Sequence, residues 1–385
     1  MLENKLHVFL KTSVLIGVLL LALAGCSRFK ELPMFVPPLN LAKMNHLWVT
    51  TSDYQSGMLV GIDLLQNDLS PFKIPIHSDA IVRAPLHSPY FYVVNRLGAD
   101  NIQWGIRNQT EVLGQFSVGR GTNPQDIAVL NSAVAYVTRL ESKHLLKVNP
   151  VEGKSIKEID LFEKADSKVV NSTDPDGFPE MTWMLLKENK LMILLQRLNS
   201  EQGFEPSNKS QLAILNTDTD TVEDILNLKG TNPVTEIKEF SNRYIIGEAG
   251  KLGVLDGGIE MFDSHFKSLG WVTDEKKLGG DIVDCSLIDD ERGVAIVAKD
   301  NYTSKASTQL VVFRILDGRI ISILREPGKF TLQQVLVDSE RHILFVSDRD
   351  PKKPGVWAYH IKTLEPVSTS YYQTGLPPYH MVLAK

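Results

Sequence analysis

The chain has 385 residues, of which 43% are hydrophobic and 23% charged, and its formal net charge is −5. This length is ample for a large core, and the composition is ordinary for a soluble protein. The mildly acidic charge argues against nucleic acid as the main partner.

The first 25 residues have the pattern of a secretory signal rather than of a folded element. Lys5 and Lys11 precede an apolar stretch from Val14 to Ala24, and small residues stand before Cys26. The apolar stretch is too short to remain as a membrane span. The alternative to a specialised signal is an ordinary cleaved signal followed by an incidental cysteine.

The tetrapeptide Leu23-Ala24-Gly25-Cys26 resembles the bacterial lipobox. This resemblance implies cleavage before Cys26 and acylation of that cysteine. Several acyl chains on one residue would anchor the protein firmly to a membrane. Ser27 is not Asp, and similarity to enterobacterial lipoproteins then implies transfer to the outer membrane, on its periplasmic face or at the cell surface. We therefore predict a signal peptide over residues 1–25 and a lipidated cysteine with an extended, proline-containing tether over residues 26–46.

From residue 47 to the end, short apolar runs alternate with turns. Between Gly119 and Leu161, four runs of four to six residues rich in Val, Ile, Leu and Tyr predict one four-stranded antiparallel sheet. The middle of each predicted second strand recurs at intervals of 44, 44, 57, 52, 51 and 49 residues, at Val49, Val93, Val137, Leu194, Ile246, Val297 and Val346. Such a period predicts an all-β protein, a seven-bladed β-propeller spanning residues 47–385.

The two ends of the chain are expected to meet in the first blade. The segment Gly375–Ala384 has the shape of a blade's first strand but no further strands follow it, whereas Leu47–Thr50 has the shape of a second strand without a first. The C-terminal strand is therefore predicted to pair into the first blade and to close the ring.

Loop length distinguishes the two faces of the predicted ring. The turns from first to second strand and from third to fourth strand are short, whereas several second-to-third loops and one connection between blades are long. Long loops on a rigid scaffold often carry binding residues, so we predict a ligand on the long-loop face. The asymmetry could equally reflect drift at an exposed rim.

Polar residues at strand ends on this face are candidate ligand-binding residues: Asn95, Arg96, Arg139, Glu180, Gln196, Arg197, Asp348 and Arg349. The structural alternative is that they pair with a neighbouring blade and hold the ring together.

Catalytic and metal-binding motifs are largely missing from the sequence. There is no haem-attachment motif, no zinc spacing, no nucleophile elbow and no phosphate-binding loop. Asp174 and Asp176 have the spacing that opens a calcium loop, but position twelve would be Leu185, and a plain Asx/Gly turn explains them better. With Cys26 acylated, Cys285 has no partner for a disulfide, and its apolar surroundings predict a core residue.

The segment Ala135-Tyr-Val-Thr-Arg139, after Gly-Thr-Asn-Pro-Gln-Asp-Ile, resembles the YVTN family of bacterial seven-bladed propellers. Looser copies stand at Tyr92–Asn95 and Phe345–Asp348. The resemblance covers residues 47 to 384 and implies the fold well but the function poorly. The catalytic residues of nearby propeller lactonases have no counterpart positions here.

We therefore expect a binding or assembly module of the cell envelope whose partner is another envelope protein or a polymer, without a required cofactor. One alternative is an envelope hydrolase or lactonase-like enzyme that works in the central funnel with Glu180, Arg139 or Asp348. A further alternative is a subunit that scaffolds a membrane complex through its blade surfaces.

Overall fold

A computed structural model describes residues 46–66, 68–107, 111–167, 176–206, 209–301 and 303–384. The strands are β1 (His46–Ser52), β2 (Gly57–Asp63), β3 (Asp68–Ile76), β4 (Ala80–Arg83), β5 (Tyr90–Asn95), β6 (Asn101–Ile106), β7 (Val112–Ser117), β8 (Pro124–Asn131), β9 (Val134–Arg139), β10 (His144–Asn149), β11 (Lys154–Asp160), β12 (Met181–Lys187), β13 (Lys190–Leu195), β14 (Leu198–Asn199), β15 (Glu205–Pro206), β16 (Gln211–Asn216), β17 (Thr221–Asn227), β18 (Lys238–Phe240), β19 (Arg243–Glu248), β20 (Gly258–Phe262), β21 (Ser268–Asp274), β22 (Asp281–Leu287), β23 (Arg292–Lys299), β24 (Ser307–Arg314), β25 (Ile320–Arg325), β26 (Leu332–Asp338), β27 (Ile343–Asp348), β28 (Gly355–His360), β29 (Pro366–Gln373) and β30 (Pro378–Ala384). Two short helices, α1 (Phe162–Asp166) and α2 (Glu275–Leu278), lie in connections between blades.

Most of these strands form seven four-stranded antiparallel sheets, so the predicted seven-bladed propeller is confirmed. Each predicted anchor, from Val49 to Val346, lies in the second strand of its sheet. From the central axis outwards, blade 1 is β30-β1-β2-β3, blade 2 is β4 to β7, blade 3 is β8 to β11, blade 4 is β12-β13-β16-β17, blade 5 is β18 to β21, blade 6 is β22 to β25, and blade 7 is β26 to β29.

Ring closure by the C-terminal strand is also confirmed. β30 pairs antiparallel with β1, with Trp48 opposite Val382 and Val49 opposite Met381. This pairing gives β1 a partner on both sides and makes the last segment of the chain the innermost strand of the first blade.

The core consists of apolar layers between neighbouring blades. Between blades 1 and 2, Trp48 meets Phe91 edge to face with ring centroids 5.0 Å apart, and both side chains are buried. Cys285 lies between blades 5 and 6 in a fully buried cluster with Ile245 and Val297, as expected for a core cysteine. These layers bury the apolar face that one isolated sheet would leave in water.

Five of the seven innermost strands contain β-bulges at similar positions. The pairing of the first and second strands is interrupted between Pro124 and Asp126, between Ile282 and Asp284, and next to His380 in β30, with comparable irregularities in β12 and β26. A bulge adds one residue to the strand and changes the direction of the side chains that follow it. Here it places polar residues near the axis within otherwise apolar strands.

The connections confirm the predicted difference between the faces. The second-to-third loop of blade 4 is the most elaborate, because it contains the hairpin β14–β15 and a 3₁₀ turn at Ser200–Gln202. Neither α1 nor α2 is long and apolar enough to cross a bilayer, and the same holds for every helix among the described residues.

Candidate functional site

The inner strands and the segment before β18 bring charged groups from separate blades together near the axis. The Arg83 guanidinium from blade 2 donates two hydrogen bonds to Asp126 of blade 3, at 2.7 and 2.9 Å, and a further one to Glu236 of blade 5. Asp126 also accepts the backbone N–H of Met184 in blade 4 at 2.9 Å. The His380 ring from blade 1 lies 3.1 Å from Glu236, with Nε2 facing the carboxylate.

A second group of contacts continues around the axis. The Lys238 ammonium of blade 5 donates to both carboxylate oxygens of Asp284 in blade 6, at 2.9 and 2.8 Å. It also donates to the carbonyl of Val335 in blade 7 at 2.9 Å, and Asp284 accepts the Val335 N–H at 2.8 Å. We call the six side chains Arg83, Asp126, Glu236, Lys238, Asp284 and His380 the channel cluster. Its contacts reach all seven blades.

Burial and charge set the protonation of the channel cluster. Burial lowers the pKa of His380 despite the neighbouring Glu236, so the ring is neutral near pH 7. Burial alone would raise the pKa of Glu236, but Arg83 and His380 hold it well below its usual range. Burial raises the pKa of Asp284 although Lys238 opposes this effect. The cluster therefore holds paired charges and one neutral imidazole.

The space beside the channel cluster is small. A cavity of about 80 Å³ is lined by Trp183, Glu236, Asp284 and His380, among others. This volume holds a few water molecules but not a sugar-sized substrate. The Nδ1 atom of His380 faces the Val82 N–H at 3.5 Å, so both ring nitrogens have neighbours within the protein. The arrangement stabilises the ring and leaves little room for chemistry.

Three of the predicted ligand residues, in blades 2 and 3, already have hydrogen-bond partners within the protein. The Asn95 amide donates to Asn101 and Gln103 at 2.8 and 2.9 Å. Arg96 donates to Asp79 at 2.9 Å and to the Tyr379 hydroxyl at 2.6 Å. Arg139 is buried and donates to three acceptors. They are the Val118 carbonyl in the connection before blade 3, and the His144 carbonyl and the Glu158 carboxylate within blade 3.

Three further predicted residues meet at the base of the hairpin β14–β15 in blade 4. Buried Glu180 accepts the Leu198 N–H at 2.8 Å, and buried Arg197 donates to Asp166 at 2.8 Å. Glu180 and Arg197 both have left-handed backbone conformations, with φ of 43° and 56°. Gln196 donates to Asn232 of the next blade at 3.0 Å. Non-glycine residues adopt this backbone region at a cost, and such positions cluster at functional sites.

The last two predicted residues have different environments. Buried Asp348 accepts two hydrogen bonds from Arg325 at 3.0 and 2.6 Å. The Arg349 guanidinium instead lies over two rings, 4.7 Å from the Tyr54 centroid and 5.3 Å from that of Tyr379. Its hydrogen bond is to the Ser52 carbonyl at 3.5 Å. Of the eight predicted residues, Arg349 is the one most available to a ligand.

A cleft of about 340 Å³ separates the hairpin from the second-to-third loop of blade 5. Phe204, at the hairpin tip, is 44% exposed, and Leu252 across the cleft is equally exposed. Lys251 and Glu205 form an ion pair of 2.9 Å between the two sides. Exposed apolar side chains in such a built cleft are typical of an interaction surface.

The predicted calcium site stays a prediction. Asp174 and the lipid-attachment residue Cys26 lie outside the described residues. Asp176 accepts the Phe178 N–H at 3.0 Å, as an Asx turn would, and its other oxygen accepts the Ser200 N–H at 2.8 Å from the second-to-third loop of blade 4. Within the described ranges, no group of three or more His, Cys, Asp or Glu side chains could hold a metal ion.

The sequence analysis did not identify the channel cluster. Its only sequence signal is a charged or imidazole side chain inside an apolar strand, as at Asp284 and His380. Arg83 and Glu236 are 153 positions apart, so their pairing follows from the closed ring and not from local pattern.

No protein-family model matches this chain, and no curated protein matches it either. Among solved structures, a candidate 6-phosphogluconolactonase from Bacteroides fragilis aligns with a TM-score of 0.61 and 8% identity, covering 91% of this chain and all of that one. The likeness is one of fold. All-β propeller architecture is shared, and at this identity nothing finer follows.

Two further structures share the propeller. The dihydro-heme d1 dehydrogenase NirN, in complex with DHE, gives a TM-score of 0.57 at 13% identity, with 90% of this chain and 77% of that chain covered. The protein AztD from Citrobacter koseri, in its apo form, gives 0.51 at 10% identity, with 88% and 98% covered. These neighbours differ from one another in what they are named for, as expected of a fold that hosts many functions.

Proposed function

We propose that the protein is a binding module of the bacterial cell envelope that holds a partner on its long-loop face. The observation that carries this proposal is the cleft beside the hairpin β14–β15, where Phe204 and Leu252 are exposed on opposite sides. Aromatic and aliphatic side chains exposed in a rigid cleft supply the apolar centre that stable interfaces need.

The base of the hairpin supports a binding role. Buried Glu180 and Arg197, both in left-handed conformations, fix the direction in which the hairpin leaves blade 4. A loop fixed in this way loses little conformational freedom when a partner binds, which favours affinity. A loop that merely spans two strands needs no such support.

We further propose that the protein is a lipoprotein anchored through Cys26 to the outer membrane and a divergent member of the YVTN-type propellers. The lipobox-like Leu-Ala-Gly-Cys and the segment Ala135–Arg139 support these two statements.

The alternative of a hydrolase in the central funnel has less support. The residues suggested for it, Glu180, Arg139 and Asp348, are each buried in internal contacts. His380 and Asp284, two members of the channel cluster whose pKa values are shifted, border a cavity of only about 80 Å³.

Cross-linked pull-down from native membranes tests the binding role. In the variant, two glycines replace residues 200–209, which keeps Asn199 and also Ser210, whose hydroxyl donates to the Gln196 carbonyl at 2.6 Å. We expect a partner to be recovered with the wild type and lost with this variant, because the apolar tip of the cleft is removed.

A matched pair of point variants controls for general stickiness. Phe204→Ser removes an exposed apolar residue of the cleft, and Leu316→Ser removes one that is 88% exposed on the short-turn face. Phe204→Ser should reduce recovery about tenfold, as loss of a central interface residue does, and Leu316→Ser should not. Equal recovery with all of these variants would place the partner elsewhere.

Cell fractionation tests the anchor separately. Cys26→Ala removes the thiol that the lipobox chemistry requires, so we expect the protein to leave the membrane fraction or to remain unprocessed. A processed Cys26→Ala protein that still sediments with membranes would refute acylation at this residue.

A further inference from the structure

The loop between β27 and β28 in blade 7 concentrates positive charge on the long-loop face. Residues 349–354 read Arg-Asp-Pro-Lys-Lys-Pro, in a chain whose net charge is −5. Asp350 is engaged by Lys329 at 3.5 Å. Among the described residues, no carboxylate forms an ion pair with Arg349, Lys352 or Lys353. We call these three side chains the basic loop.

Aromatic rings hold two of these cations without neutralising them. Arg349 lies over Tyr54 and Tyr379, and the Lys353 ammonium lies 4.5 Å from the Tyr371 ring centroid and 5.2 Å from that of Trp357. A cation over a ring face is attracted by the ring quadrupole and keeps its full charge. Both side chains are therefore pre-positioned and still able to bind an anion.

Neighbouring arginines differ in this respect. Arg325 is paired with Asp348 at 2.6 Å, and Arg96 is paired with Asp79. Asp53, the acidic residue next to Tyr54, accepts the N–H groups of Gln55 and Ser56 at 3.0 and 2.7 Å within its own turn. The basic loop thus differs from the neighbouring arginines, whose charges are already paired with carboxylates.

We propose that the basic loop binds an acidic segment of a partner protein, with the Arg349 guanidinium donating two parallel hydrogen bonds to one carboxylate and the two lysines adding further ion pairs. The planar fork of arginine matches a carboxylate in this way, and Tyr, Trp and Arg are enriched at protein interfaces. Tyr54 is 75% exposed and offers a ring against which the segment packs. This inference rests on the proposed function, because it identifies the chemistry of a partner on the same face.

A titration with a defined probe tests the proposal. Purified full-length protein in detergent is titrated with a short fluorescent poly-L-glutamate peptide at low ionic strength, and the dissociation constant is measured by anisotropy. Arg349→Ala should weaken binding about tenfold, as loss of a charge-assisted bidentate contact does. Arg349→Lys keeps the charge but loses the planar guanidinium, so its dissociation constant should lie between those of the wild type and of Arg349→Ala.

A control separates the site from general electrostatics. Arg319→Ala removes the same charge from a side chain that is 78% exposed on the short-turn face, and should leave the affinity unchanged. The double variant Lys352→Ala/Lys353→Ala changes only exposed side chains of the loop and should also weaken binding. It serves as the second test if Arg349→Ala proves to be unstable.

Three results would overturn the proposal: no binding of the peptide by the wild type, an equal loss with Arg319→Ala, or binding of polygalacturonate in preference to poly-L-glutamate. The last would assign the basic loop to an acidic polysaccharide. None of these results would contradict the proposed binding function, because that function is tested separately by the pull-down with the variants of the hairpin β14–β15. Conversely, peptide binding together with unchanged pull-down in the hairpin variants would retain the basic loop and move the partner away from the cleft.

Discussion

Glu248 and Glu260 form a buried pair of carboxyl groups in blade 5. Glu248 accepts the Gly230 N–H and the Trp271 indole N–H, both at 2.8 Å, through one oxygen. Burial and the neighbouring Glu260 raise the pKa of Glu248 from 4.5 to about 9. A carboxyl held protonated at neutral pH can donate to its neighbour, so the pair shares a proton instead of bearing two charges.

This raised pKa fixes the sign of a pH effect on stability. The folded state retains a proton that the unfolded state loses above pH 4.5, so the free energy of unfolding falls as the pH rises towards 9. Glu248→Gln keeps the acceptor oxygen and supplies a permanent donor towards Glu260. We expect this variant to be more stable than the wild type at pH 8, by on the order of 2 kcal/mol, and equally stable near pH 5.

Urea unfolding between pH 5 and pH 8 measures the difference. The same substitution at the exposed carboxylate of Glu201 provides the control, and should leave the pH dependence of the wild type intact. If Glu248→Gln showed the same fall in stability with pH as the wild type, the shared proton would have to be assigned elsewhere.

At the scale of strands and loops, the sequence predicts well what depends on local pattern. Seven second strands, the ring-closing β30 and the division into short and long loops all follow from apolar runs and turn residues. The tetrapeptide Gly-Thr-Asn-Pro occurs twice, at Gly121–Pro124 and Gly230–Pro233, and its local sequence determines the same backbone turn each time. Asn123 and Asn232 both adopt left-handed conformations, with φ of 49° and 53°.

Features that depend on one extra residue or on distant partners are not predictable in this way. The bulge before Asp284 inserts Val283 into a strand that stays apolar on either side, so the hydropathy pattern hides it. The hairpin β14–β15 has strands of two residues each, which no periodicity reveals. Arg139 ends a strand on the predicted face, but its guanidinium donates to Glu158 in the outermost strand of its own blade.

Across the whole molecule, the channel cluster connects the blades through charge as well as through apolar layers. One set of contacts joins blades 2, 3, 4, 5 and 1 through Arg83, Asp126, Glu236 and His380. A second set joins blades 5, 6 and 7 through Lys238 and Asp284. Blade 5 belongs to both sets through Glu236 and Lys238, so we expect the loss of a cation that contacts Glu236 to lower the stability of the whole ring.

Arg83→Met tests this coupling, because it leaves the buried carboxylate of Asp126 and the partly buried carboxylate of Glu236 without their shared cation. Breaking a buried ion pair from one side costs about 3–5 kcal/mol, whereas Arg314→Met, which breaks an exposed pair with Asp317, should cost far less. Without Arg83, burial should raise the pKa of Glu236, so the deficit should be smaller at pH 5 than at pH 8, and adding Glu236→Gln should recover part of it. Urea unfolding of the three variants at both pH values measures these differences, and a deficit independent of pH would mean that packing of the Arg83 side chain, not its charge, supports the centre of the ring.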